Sequence, residues 1–421
     1  MIRGNLMRRG AVVVSGTVLL ASVIAAMATA LPYPALRSVP PPTPVSGSPS
    51  PFPTSLATPK PSSKAPHLEA PEAILEDLDT GQVLEKRRAD HPRPIASLTK
   101  IMTALIVLER SSLSDVVSVS ATAASQAGSE LGIRVGERIS VRNLLYALLL
   151  QSSNDAAVAL SEHVGGSVER FVQSMNRRSR QLHLMHTRFF SPTGLDNRGY
   201  STARDLAALT REALRWPEFA RVVHTKSRNI PSSVGPTRHV QNRNVLLWLY
   251  RGATGVKTGF TSPAGHGLVA TAERRGVRLV SVVLGVQAEP FDDGAALLNF
   301  GFAGFRRTIL VRRGERVGTL SVGGVTIEAV AGADLVRMVR KSSLSAVIRT
   351  FRPVVGLAMP VDRGREVGLE VVEVKGRVEG TVPVVAGGLL TPLGLLAGPE
   401  PLAGPVRLLT ELIRTVFDGF L

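Results

Sequence analysis

Cysteine is absent from this 421-residue chain, which excludes disulfides, thiol nucleophiles and cysteine-ligated zinc. Lysine is scarce: only eight of the 50 basic residues are Lys, the rest Arg. A lysine inside an apolar segment therefore stands out, because arginine keeps its proton in proteins and cannot act as a base. Acid is short as well, 33 Asp and Glu, for a formal net charge of +17. That balance implies polyanionic surroundings (nucleic acid, anionic lipid or an anionic wall polymer) or simply a solvated basic surface. No Lys/Arg block carries interleaved aromatics and no recognition-helix signature is present, so nucleic acid is not expected as a partner. No phosphate-cradling glycine loop and no G-x-S-x-G elbow occurs. His183 and His186 are three apart but lack an accompanying carboxylate constellation; neither a metal nor a cofactor is expected.

What is present begins with an export signal. Arg3, Arg8 and Arg9 precede an apolar run from Ala11 to Met27, and Ala28-Thr29-Ala30 fits a small-x-small cleavage site, so residues 1–30 read as a signal peptide. An uncleaved signal anchor is the alternative, since the run is near the lower limit of a membrane span. Residues 31–66 hold twelve of the 28 prolines among Ser and Thr, an extended linker without a core. The working part is thus expected outside the cytoplasm, in the wall or at the outer face of the membrane.

A globular segment over 67–304 follows. Ala73–Asp77 and Val83–Lys86 flank Asp79-Thr80-Gly81 as a hairpin, and Gly267–Glu273 and Val277–Val286 bracket Arg274-Arg275-Gly276 as another. Between them, helices are expected after Ser97 with Ile101, Leu105 and Leu108 on one stripe, and over Val141–Leu150, Asp155–His163 and Thr202–Leu214. Strands at both ends with helices between them predict an α/β (α+β) sandwich whose sheet joins the first and last parts of the segment. From 305 to 386 the texture is β-rich, and Arg313-Gly314-Glu315-Arg316-Val317-Gly318 returns loosely as Arg363-Gly364-Arg365-Glu366-Val367-Gly368, predicting two similar hairpins in a small β domain. Residues 387–421 read as a Gly/Pro/Leu connector and an amphipathic helix with Val406, Leu409, Ile413, Val416, Phe417 and Phe420 on one side. That stripe suits an interfacial membrane anchor, or packing on protein.

Three short motifs carry chemistry. In Ser97-Leu98-Thr99-Lys100, residues i and i+3 share a helical face, so the amine reaches the hydroxyl. Serine is a weak nucleophile until its proton is removed, and a lysine walled in by apolar groups has a lowered pKa that suits it to be that base. In Ser152-Ser153-Asn154, the first hydroxyl can relay a proton to a leaving amine and the carboxamide can bind a peptide bond; plain N-capping of a helix at Asp155 is the structural alternative. Lys257-Thr258-Gly259 falls where an edge strand should start. Its cation and hydroxyl suit a substrate carboxylate, its glycine suits a close substrate backbone, and the N–H of Phe260 is a candidate second oxyanion donor beside that of Ser97; an ordinary turn before a strand is the structural alternative.

With these motifs the chain resembles the D-alanyl-D-alanine carboxypeptidases, the low-molecular-weight penicillin-binding proteins. The likeness extends to LLYALLLQSSNDAA at 144–157, to Ser191-Pro192-Thr193-Gly194-Leu195-Asp196, to Tyr200–Leu206, and to Asn242-Arg243-Asn244 and Gly255–Thr261. It implies the penicillin-binding/β-lactamase-like transpeptidase fold, followed by the β domain and tail helix. It also implies Ser97 as acylated nucleophile, Lys100 as its base, Ser152 in proton transfer, and Asn154, Lys257, Thr258, Gly259, Phe260 and Arg243 on the substrate. The implied substrate is the peptidoglycan stem pentapeptide, losing its terminal D-alanine, with β-lactams as covalent inhibitors. Ser153 stands where the family usually has Gly, Phe260 where some members have His, and Gln287–Glu289 with Asp292-Asp293 where some have Arg. A DD-endopeptidase uses the same chemistry; a β-lactamase would need a Glu for its deacylating water in an E-x-x-L-N segment, which is absent; an inactive wall-binding module would not need the full motif set.

Overall fold

The computed structural model describes residues 63–389. The export signal, nearly all of the linker, and the tail helix lie outside the described residues. In chain order the first part contains β1 (Glu72–Asp77), β2 (Val83–Arg87), a 3₁₀ turn over Ala96–Thr99 and α1 (Lys100–Arg110). A mostly helical stretch follows: β3 (Val116–Ser118), α2 (Ala121–Ala124), β4 (Arg138–Ser140), α3 (Val141–Tyr146), a π turn over Ala147–Gln151, α4 (Asn154–Gly165) and α5 (Val168–Gln181). It continues through α6 (Ala203–Ala213), α7 (Pro217–His224), β5 (Ser227–Ile230), β6 (Arg238–Gln241) and α8 (Leu246–Leu249). The chain then returns to the main sheet with β7 (Ala253–Thr261), β8 (Gly265–Arg274) and β9 (Val277–Val286), and covers it with α9 (Phe291–Gly304).

The main sheet has the order β2-β1-β9-β8-β7, all antiparallel, so the two expected hairpins meet edge to edge through β1 and β9. Period-two alternation assigns its faces. Ile74, Val269, Val280 and Val282 join the large core shared with α1, α4 and α6, whereas α9 packs on β1, β8 and β9. With both faces covered, β8 and β9 read as continuous apolar runs rather than alternating ones.

α1 departs from the single stripe expected of it. Every residue from Lys100 to Leu108 is buried, because the helix runs through the centre of the domain with α4, α5 and α6 around it. An all-round apolar helix is an interior helix. Helix α5 escaped the sequence reading because its surface is so polar: Phe171 and Met175, one turn apart, are its buried apolar anchors, and Ser167 caps it by accepting from Arg170 N–H.

Past α9 the chain forms β10 (Phe305–Val311), β11 (Arg316–Val322), β12 (Val325–Ala331), β13 (Leu335–Arg340), β14 (Val347–Pro353), β15 (Glu366–Val374) and β16 (Arg377–Leu389). The two similar Arg-Gly segments make the same turn. Gly314 N–H donates to Ala331 O and Ala331 N–H to Glu315 O; Gly364 N–H donates to Ala386 O and Ala386 N–H to Arg365 O. The hairpins β11–β12 and β15–β16 then join side by side through β12 and β16 in the order β11-β12-β16-β15-β14. β16 continues to Leu389, so residues 387–389, expected as part of the connector, belong to this strand.

Candidate active site

Lys100 opens α1 and is wholly buried, yet its Nζ has three oxygen partners: Ser97 Oγ at 3.0 Å, Asn154 Oδ1 at 2.8 Å and Thr193 O at 2.9 Å. Two of these carry no proton. A neutral amine must therefore give its two hydrogens to Asn154 Oδ1 and Thr193 O, which leaves its lone pair for the Ser97 hydroxyl. Protonated, the same amine donates to all three. Burial and the charge of Arg243 push Lys100 down to about 7, against the opposing pull of Asp155. The geometry and the protonation state both suit Lys100 to receive the proton of Ser97.

The turn that carries Ser97 is tightly specified. Ala96 has φ +47°, a left-handed conformation unusual for a residue with a side chain, directly before the half-buried Ser97. Gly194 (φ +79°) lies against it: a Cβ there would stand 1.9 Å from Ala96 O. The Ser191–Asp196 loop is fastened to α1 by Thr103 Oγ1 donating to Pro192 O at 2.7 Å and by the Lys100–Thr193 bond. Thr103, Thr193 and Gly194 had no assigned role in the sequence reading. Thr103 could have been suspected, one position short of a full helical turn after Lys100, as the one polar residue in the run Ile101–Leu108.

From the other side comes β7, at the edge of the sheet. Lys257-Thr258-Gly259 lies well inside this strand rather than at its start. A Cβ on Gly259 would meet Ile95 O at 3.0 Å and Ser97 N and Leu98 N at 3.1 Å. The close approach that this glycine permits is thus to the turn carrying Ser97, rather than to a substrate backbone as its motif suggests. Lys257 is buried with Nζ donating to Thr258 O at 2.7 Å, and burial together with the charges of Lys100 and Arg243 holds it well below the usual lysine range. Thr258 is half-buried; Phe260 is exposed and tilted against the ring of His266, 4.3 Å between centroids.

The Ser152–Asn154 turn supplies the third wall. Ser152 has φ +69°, and its buried hydroxyl has no hydrogen-bond partner among the described residues. The N-capping alternative does not hold: α4 starts at Asn154 with Ser153 as its N-cap, and no side chain caps it. Asn154 is instead spent at both ends, Oδ1 on Lys100 and Nδ2 on Ala127 O at 2.8 Å. Asp155, expected only as the start of a helix, accepts from the N–H groups of Leu131, Gly132 and Ile133 at 2.8–3.2 Å, which ties the 127–133 loop to the motif. Arg243 is exposed, its N–H on Leu150 O at 3.1 Å, between Asn242 and Asn244, which are both buried. Its charge reaches both lysines, so the five motif segments converge on one cleft.

Asp293 does not reach that cleft; its carboxylate accepts from Glu69 and Ala70 N–H and pins the start of the domain to α9. His186 N–H donates to Asp205, and His183 sits in a turn at φ +55°.

A family model described as D-alanyl-D-alanine carboxypeptidase matches residues 59–288. The D-alanyl-D-alanine carboxypeptidase DacF of Bacillus subtilis is 32% identical over 331 residues, spanning 76% of this chain and 85% of the relative. Among solved structures, the D-alanyl-D-alanine carboxypeptidase DacD of Francisella tularensis superposes with a TM-score of 0.68 at 26% identity, covering 78% of this chain and 95% of that one. Penicillin-binding protein 5 of Haemophilus influenzae gives 0.66 at 28% identity, with 78% and 99% covered.

Proposed function

The chain belongs to the D-alanyl-D-alanine carboxypeptidase family, has its mixed α/β penicillin-binding protein fold and is a serine-type hydrolase of that family; from this premise we propose how its residues divide the work. Ser97 Oγ attacks the carbonyl of the penultimate D-alanine of a stem pentapeptide while Lys100 takes its proton. The N–H groups of Ser97 and Phe260 hold the oxyanion, and Ser152 passes a proton to the departing amine of the terminal D-alanine. Water then hydrolyses the ester on Ser97. Lys257, Thr258 and Arg243 receive the terminal carboxylate, Asn154 both orients Lys100 and borders the substrate, and the free edge of β7 pairs with the extended peptide. The observation that carries this is the buried Lys100 amine between a hydroxyl and two carbonyl oxygens.

The N-terminal basic and apolar segment supports export with cleavage after Ala30, and the stripe from Val406 to Phe420 supports reversible attachment to the outer face of the membrane. The protein accordingly works outside the cytoplasm on peptidoglycan, without metal or cofactor, and β-lactams block it as ring-closed mimics of the D-Ala-D-Ala amide. Incubation with a defined pentapeptide and assay of free D-alanine tests the reading. Wild type releases it and Ser97→Ala does not. Cleavage of cross-linked dimers without release from the pentapeptide would make it an endopeptidase. Mass mapping of a penicillin adduct to the peptide containing Ser97 checks the nucleophile separately.

A further inference from the structure

Away from the cleft, a groove of about 1570 Å³ runs between the far end of the main sheet, the C-terminal end of α9 and the β10–β13 pair. Six cationic side chains line it, Arg251, Arg274, Arg275, Arg306, Arg307 and Lys341, against one carboxylate, Glu273. No residue of the three catalytic motifs is among its walls.

The cations are not alike. Arg307 is paired with Asp79, and Lys341 Nζ closes α9 by donating to Phe302 O and Ala303 O. Arg274 is fixed in place: its guanidinium lies 4.5 Å from the Tyr250 ring centroid and 4.7 Å from that of Phe302, with Nε donating to Arg251 O at 3.1 Å. The side chains of Arg251, Arg275 and Arg306 are exposed and have no partner among the described residues. Some arginines elsewhere are ion-paired, Arg178 with Glu109 and Glu212, Arg204 with Asp90, Arg238 with Glu137, and others such as Arg142, Arg177 and Arg180 are exposed singly on the surface. What sets the groove apart is that three unpaired arginines line one concavity. Unmated like charges gathered in one concavity repel one another and focus a positive potential there. Between them lie apolar surfaces, from half-buried Val336 and Leu344 to buried Phe305 and Met338.

Shape selects among anions. A flat lipid surface meets the rims of a groove, whereas a flexible chain can lie along its floor and reach both walls. We propose that this groove binds a linear polymer with phosphates in its backbone: Arg251, Arg275 and Arg306 neutralise phosphates, Arg274 offers a preoriented guanidinium, and the apolar floor contacts the spacer between charges. Bound there, the polymer would hold the enzyme beside it while leaving the catalytic cleft free.

The test titrates the full chain with a defined-length polyphosphate at several salt concentrations by calorimetry. Wild type should bind with a salt-dependent affinity. The triple variant Arg251→Gln/Arg275→Gln/Arg306→Gln should bind at least tenfold more weakly, with a log–log salt slope shallower by about two to three, the counterion-release expectation for three lost phosphate contacts. A matched triple on exposed arginines elsewhere, Arg142→Gln/Arg177→Gln/Arg180→Gln, should retain wild-type binding. Equal loss in both triples would reduce the effect to net charge and overturn the site, as would no loss in the groove triple. Stronger groove-dependent binding to vesicles containing phosphatidylglycerol than to the polymer would also overturn it, in favour of a lipid surface. Penicillin acylation at the wild-type rate verifies that the groove triple is folded. If it acylates poorly, the three single variants replace it, each expected to lower the slope by about one.

Discussion

Replacing Lys100 by arginine separates a base from a mere positive charge. The amine lies at about 7 rather than 10.5, a difference on the order of 5 kcal/mol in the balance between its two protonation states. At pH 7 roughly half the molecules then hold a neutral amine, against about one in 3,000 for an unperturbed lysine. Wild-type acylation should therefore rise with pH through a midpoint about 7. A guanidinium keeps its proton across this range and has no lone pair to turn toward Ser97 Oγ. Loss of a general base costs on the order of 10²–10⁴ in rate, roughly 3–5 kcal/mol of barrier, so Lys100→Arg should acylate nearly as poorly as Lys100→Ala and show no rise near pH 7. The assay is acylation by a fluorescent penicillin from pH 5.5 to 9, with thermal melting to verify that both variants fold. Arg243→Gln adds a second arm: because the Arg243 charge lowers Lys100, its removal should move the wild-type midpoint upward, whatever it does to substrate affinity. A folded Lys100→Arg protein that acylates at a near-wild-type rate would refute the base assignment.

Three further outcomes follow from the same geometry. Asp155→Asn removes the carboxylate that raises Lys100, so the acylation midpoint should move below that of wild type; it also weakens the anchor of the 131–133 backbone, for a loss of about 1–3 kcal/mol in denaturant titration. Gly194→Ala puts a Cβ into Ala96 O at a positive φ, and the displaced nucleophile turn should slow acylation on the order of 10²-fold, measured with the same penicillin. Glu137 is buried, and although burial raises its carboxyl, hydrogen bonds from Arg238, Ser232 and Arg134 N–H hold it at about 2. A depressed carboxylate stabilises the fold above its unfolded value and loses that contribution as pH falls toward 2. Melting temperatures should thus fall less between pH 5 and 2.5 in Glu137→Gln than in wild type, from a lower starting point.

How much of this was legible in the sequence depends on the reach of each interaction. The hairpins around Asp79-Thr80-Gly81 and Arg274-Arg275-Gly276 were legible because turn chemistry and strand alternation are local. The repeated Arg-Gly turns of the β domain were legible for the same reason, and they close with matching hydrogen bonds. The pairing of β12 with β16 was not, since nothing local chooses which hairpin edges meet. At the site, Ser97 and Lys100 share a turn, and their contact follows from helical spacing alone.

The sequence by itself determined the motif set, the family resemblance and the i, i+3 contact of Ser97 and Lys100, all carried by residue type and short spacing. Tertiary structure alone decided that Lys100 could be a base. Its other two partners come from 54 and 93 residues away, Asn154 and Thr193, and its pKa is lowered first by burial, which exists only once α4, α5 and α6 enclose α1. It likewise decided that Gly259 faces the backbone of Ser97 and that Asp155, in the first turn of α4, grips the 131–133 loop. Desolvation and long-range hydrogen bonding belong to the assembled interior, and no pattern of neighbours along the chain encodes them.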